Sequence, residues 1–120
     1  MPGVRLLSFM YAGHEPDVEA EVTFLRTEEG GRQGYVSSGY RPQFFYDGED
    51  HVAVQEFPDK EKVYPGDTVT VLLHFLHPEL LFNRIRVGDS FKMLEGMVVV
   101  AHGKITRVLN LMKNAEIYNR

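Results

Sequence analysis

The sequence predicts an all-β protein, an antiparallel barrel or sandwich. Three observations carry that expectation. Short runs alternate apolar and polar residues with period two. Glycine and proline turn signals separate those runs. No long amphipathic helix interrupts them. At 120 residues the chain is one domain's worth of polypeptide.

The first run is Val18 to Leu25, where Val18, Ala20, Val22 and Phe24 share one face and Glu19, Glu21 and Thr23 the other. Glu28-Glu29-Gly30-Gly31-Arg32 follows as a tight turn, and Gly39 marks another. Gln43 to Tyr46 is a short aromatic strand, with Pro42 at its edge removing a backbone donor. Asp47-Gly48-Glu49-Asp50 reads as a hairpin loop. His51 to Phe57 is the next run, placing Val52, Val54 and Glu56 on one face. Pro58 to Lys62 is a charged surface loop. Pro65-Gly66-Asp67 is a turn signature.

Thr68 to His77 is the clearest strand. Val69, Val71, Leu73 and Phe75 share one face. Thr70, Leu72, His74 and Leu76 share the other, which is only half polar. A strand apolar on much of both faces is covered on both sides, or contacts another body. Pro78 ends it. Leu80, Leu81, Phe82 and Ile85 fit either a short helical turn or a loop. After Gly88-Asp89, Phe91 to Leu94 and Met97 to Leu109 give the last strands. Leu111, Met112 and Ile117 have helix-compatible spacing in the tail. The expected division is 1–16 as a leader or first strand, 17–109 as the barrel and 110–120 as a tail.

Composition bounds the function. Zero cysteines exclude disulfides, thiolate metal sites and cysteine nucleophiles, and fit a cytoplasmic protein. The apolar runs are far shorter than a membrane-spanning helix needs, so no membrane partner is expected. Arg5, Leu6, Leu7, Phe9 and Met10 are a poor signal peptide, since His14-Glu15-Pro16-Asp17 follows in place of a cleavage site. The formal net charge is −4. It is uneven: residues 1–60 hold 5 basic and 11 acidic groups, residues 61–120 hold 8 and 6. A nucleic-acid face should therefore draw on the second half. DNA is not an expected partner.

No catalytic constellation is legible. There is no phosphate-binding G-x-x-x-x-G-K-[ST] loop and no G-x-S-x-G around Ser8, Ser37, Ser38 or Ser90. His74 and His77, three apart on a strand, point to opposite faces, and His14, His51 and His102 stand alone, so no metal site is expected. No enzyme activity and no cofactor are expected. The cluster Tyr40-Arg41-Pro42-Gln43-Phe44-Phe45-Tyr46 offers forked donors beside aromatics, which suits either packing or binding.

Glu28-Glu29-Gly30-Gly31-Arg32 and Gly39-Tyr40-Arg41-Pro42-Gln43-Phe44 resemble the C-terminal (third) domain of bacterial elongation factor Tu. Further matches follow in order: Pro65-Gly66-Asp67, His77-Pro78, Gly88-x-x-Phe91, Glu95-Gly96 and Arg107-Val108-Leu109. The resemblance covers Asp17 to Leu109. It implies a six-stranded antiparallel barrel. It also implies a translation-factor-like module, without a GTPase domain, that binds tRNA or another structured RNA backbone. The tRNA-facing positions of the family fall on Arg32, Gln33, Gln43, Glu95 and Gly96, with glutamine at 33 where the family usually has histidine. The alternative is a protein-interaction module, of decoy or immunity type, that binds a translation factor or its partners. Its candidate surfaces are the Tyr40–Tyr46 segment, with Tyr40 and Arg41, and the Leu80–Ile85 loop, with Leu81 and Phe82. The longer Pro78–Gly88 loop and the bulky Met97–His102 stretch depart from the family pattern.

Overall fold

A computed structural model of the chain describes residues 11–118. The candidate leader, Arg5 to Met10, lies outside them. Six strands follow one another: β1 (Val18–Phe24), β2 (Gln43–Tyr46), β3 (Glu49–Glu56), β4 (Thr68–Phe75), β5 (Ser90–Glu95) and β6 (Val98–Val108). They close into a barrel in the order β1-β4-β3-β2-β5-β6, every neighbouring pair antiparallel. Closure pairs β6 with β1, which leaves the sheet without an open edge. The six-stranded antiparallel barrel is the fold the resemblance implied.

The period-two faces explain the closure. Val18, Ala20, Val22 and Phe24 of β1 are buried, as are Val69, Val71, Leu73 and Phe75 of β4. Ala20 lies opposite Val71 on one side and Ile105 on the other, so apolar residues of three strands meet at one level of the core. Phe44 stands at the centre, its ring 5.0 Å from Phe75 and 4.6 Å from Phe91. Such aromatic pairs add to the stabilisation their buried area already supplies.

On β3 the inner face is the one opposite Val52, Val54 and Glu56. Val52 is 40% exposed, while Ala53 and Phe57 join the core with Gln55 between them. The Val52–Val54–Glu56 face therefore turns outward. Val54 and Glu56 are still buried, because the outer side of β3 and β4 is covered. The His74 imidazole there bonds Glu56 Oε1 at 2.9 Å and the His14 carbonyl at 3.3 Å, and the Tyr11 ring lies 5.6 Å away. The second cover expected for β4 is thus the chain's own N-terminal segment.

The tail forms helix α1 (Leu111–Tyr118). Its buried face is Leu111, Asn114 and Ala115, whereas Met112 and Ile117 are exposed. The apolar spacing pointed to 111, 112 and 117. The Asn114 amide decides otherwise: it donates to the Glu15 carbonyl and to Asp17 Oδ1, both at 2.9 Å, and draws its own face inward. The ambiguous segment after β4 opens as a 3-10 turn over Pro78–Leu80, and α1 lies against it.

Candidate nucleic-acid interface

The double glycine after β1 sets the first part of the site. A 3-10 turn over Thr27–Glu29 closes with the Gly31 N–H donating to the Arg26 carbonyl at 3.0 Å. A Cβ at Gly31 would lie 2.4 Å from the Leu25 carbonyl oxygen, so only glycine lets the backbone pass that close. This passage delivers Arg32 to the end of β5. Its guanidinium makes an ion pair with Glu95, and the Tyr40 hydroxyl donates to the same carboxylate oxygen. The Arg32 Cζ also lies over the Tyr40 ring, 5.3 Å from its centroid.

Strand pairing brings Gln43 to the same place. Gln43 lies opposite Leu94, the neighbour of Glu95. The register of β5 and β6 slips between Met93 and Leu94, which sets Glu95 opposite Val98 across the Gly96–Met97 turn. Bulges of this kind commonly re-aim side chains beside sites. The Gln43 amide reaches Asp50 at 3.4 Å, while its Oε1 and the Arg32 Nε have no partner among the described residues.

The electrostatics fix the protonation of the cluster. Burial works against the Arg32 charge, but the Glu95 carboxylate outweighs it and leaves the guanidinium pKa raised. Burial pushes the Tyr40 phenol well above its ordinary range, and its bond to Glu95 pushes it further. Tyr40 therefore stays a protonated donor. Arg32 remains a cation with one face satisfied by Glu95.

Four of the five expected RNA-facing positions, Arg32, Gln43, Glu95 and Gly96, come together around the end of β5, and exposed Gln33 follows Arg32 directly. Of the expected partner-binding positions, Tyr40 is locked to Glu95 and Arg41 is exposed. Phe82 is partly buried against the core. Leu81 is 0% exposed, a core residue with no side-chain surface to offer, and the exposed apolar residue of that loop is Leu80. Reading Tyr40 only as a partner surface missed its place beside Arg32. The signal that could have paired them is a guanidinium and an aromatic flanking the connection from Gln33 to Gly39.

Among the described residues no helix is long and apolar enough to cross a membrane. Among them, too, no group of three or more His, Asp or Glu side chains is placed to hold a metal ion.

Residues 13–109 match the elongation factor Tu C-terminal domain family. The chain belongs to that family, and it is a translation-factor-like module whose family domain is non-catalytic.

Proposed function

We propose that this module holds the backbone of a structured RNA, tRNA in the first instance. The convergence of Arg32, Gln43 and the Gly96 turn on one barrel end, with Gln33 beside them, carries the reading. Phosphate and 2′-hydroxyl groups are recognised by forked donors and backbone amides set at fixed positions. In this reading Glu95 positions Arg32 and can accept from a 2′-hydroxyl. The experiment is fluorescence anisotropy of labelled tRNA at several salt concentrations. Binding should weaken steeply with salt, and Arg32→Ala or Gln43→Ala should each weaken it further. Parent-like binding by both variants would remove the reading.

A different observation favours a protein partner. Met112 and Ile117 of α1 and Leu80 of the facing turn are all more than half exposed. Exposed apolar side chains on two packed elements are what a protein interaction surface draws on. In this second reading the partner is a translation factor or a protein that binds one. Capture of such a protein that survives nuclease treatment and is lost in Met112→Glu would favour it over the RNA reading.

A further inference from the structure

We propose that a cavity on the outer wall of the barrel, built around Phe45, Lys92 and His102, binds a single nucleotide. The inference does not rest on the RNA reading, because these residues take no part in the Arg32 cluster. Phe45 lies opposite Lys92 across β2 and β5, and Lys92 lies opposite His102 across β5 and β6. The three side chains therefore form one cross-strand row on the outside of the sheet. The cavity they line has a volume of about 310 Å³. That is the small end of ligand sites, about 300–1,000 Å³, and suits one nucleotide better than a dinucleotide.

Charge indicates which end of the ligand goes where. Lys92 and His102 are exposed, and neither has a hydrogen-bond or ion-pair partner among the described residues. Five other cations are held in ion pairs: Arg26 with Glu29, Arg32 with Glu95, Lys60 with Asp67, Arg84 with Asp47 and Glu49, Arg107 with Glu19. Ser90 adds a hydroxyl to the lining, and Lys104 stands opposite Ser90 on β6. An ammonium, an imidazole and a hydroxyl on one wall are the donors a phosphate takes. Phe45, half-buried, supplies an aromatic wall on which a base can stack. The Asp47 carboxylate also lines the cavity, and it is held by Arg84 at 3.1 Å. That ion pair offsets its charge toward phosphate and leaves an acceptor for a base amino group.

Phe91 and Gly103 complete the lining, and a Cβ at Gly103 would sit 2.1 Å from Phe91 Cζ. Phe91 thus fills the space that any side chain at 103 would need.

The shared chemistry, a base with its phosphate, can come from a free nucleotide or from the end of an RNA strand. Isothermal titration calorimetry with adenosine 5′-monophosphate, adenosine and inorganic phosphate tests the site. A duplex RNA with and without an unpaired terminal nucleotide separates the two sources. The monophosphate should bind, with adenosine and phosphate each about tenfold weaker or worse. Lys92→Glu and Phe45→Ala, both on the barrel exterior, should each cost about tenfold. Tighter binding of the monophosphate than of the overhang assigns a free nucleotide, and the reverse assigns an RNA end. No binding of either at millimolar concentration, or affinity unchanged in both variants, overturns the proposal.

Discussion

The carboxylate of Asp17 accepts a hydrogen bond from the backbone N–H of Phe75 at 2.7 Å, joining residues 58 apart in sequence. The same oxygen takes His14 Nε2 at 3.0 Å, and the other takes Asn114 Nδ2 at 2.9 Å. Asp17 is fully buried, so these donors stand in for water. Its backbone carbonyl accepts in turn from the N–H groups of Leu109 and Asn110, where β6 gives way to α1. One side chain and its own peptide thus fasten the N-terminal segment, β4 and the C-terminal helix to each other.

Removing that side chain orphans a buried backbone N–H and loosens two further donors. Asp17→Ala is expected to cost about 3 kcal/mol, in the range for breaking a buried charged hydrogen-bond network. Urea unfolding monitored by circular dichroism checks it. A loss under about 1 kcal/mol would mean the helix and N-terminal segment dock without this carboxylate.

This network was not legible in the sequence, whereas the barrel was. The faces of β1 and β4 follow from period two, a local property, and both came out as expected. The partners of Asp17 and His74 are set by closure of the sheet, not by spacing. His74 and Glu56 stand 18 residues apart, and Asn114 stands 97 from Asp17. His14 and His74 looked unrelated because what joins them is the cover over β3 and β4. Alternation in β3 set Val52, Val54 and Glu56 on one face but did not say which side of the sheet that face takes. Hydrophobicity cannot say which side of a strand is core when both sides are covered. The Arg32–Glu95 pair was legible only in part: family likeness placed both residues, but not their ion pair.

The buried amide of Gln55 offers a test of core economy. Neither its Oε1 nor its Nε2 finds a partner among the described residues, and the side chain is 0% exposed. A buried polar group without a partner costs about 1–3 kcal/mol. Gln55→Leu keeps a similar volume and removes both polar atoms. Its thermal midpoint is expected to equal or exceed the parent's. A large drop in the midpoint would show that the amide contributes to the core.

His51 should make stability depend on pH. Burial lowers its pKa, against the opposing pull of Glu49, 3.8 Å away, and Asp50, while Arg84 lowers it further. The fold therefore favours the neutral imidazole. Its contribution is fully present above the ordinary histidine value of 6.5 and is lost as pH falls below that value toward the folded pKa. The unfolded chain takes up the proton first. Comparing thermal midpoints at pH 7.5 and 5.5 checks the sign. His51→Gln should lose less stability than the parent over that interval. An equal or larger loss would place the acid sensitivity elsewhere.

Glu95 and Arg32 give the sharpest test of the RNA reading. Glu95 holds Arg32 in place, but it also sets a negative charge where a phosphate would sit. Glu95→Gln keeps an oxygen acceptor for both Arg32 and Tyr40 and removes the charge. If the cluster faces a phosphate, tRNA affinity at low salt should rise severalfold. The slope of log affinity against log salt should steepen by about 0.7–0.9, one phosphate's worth of released counterion. Arg32→Ala should change the slope by a similar amount in the opposite direction. Removing an acidic side chain anywhere also raises affinity weakly through net charge, so Glu28→Gln, on the exposed turn, serves as the control. A gain in Glu95→Gln no larger than in Glu28→Gln would mean that Arg32 does not face the RNA.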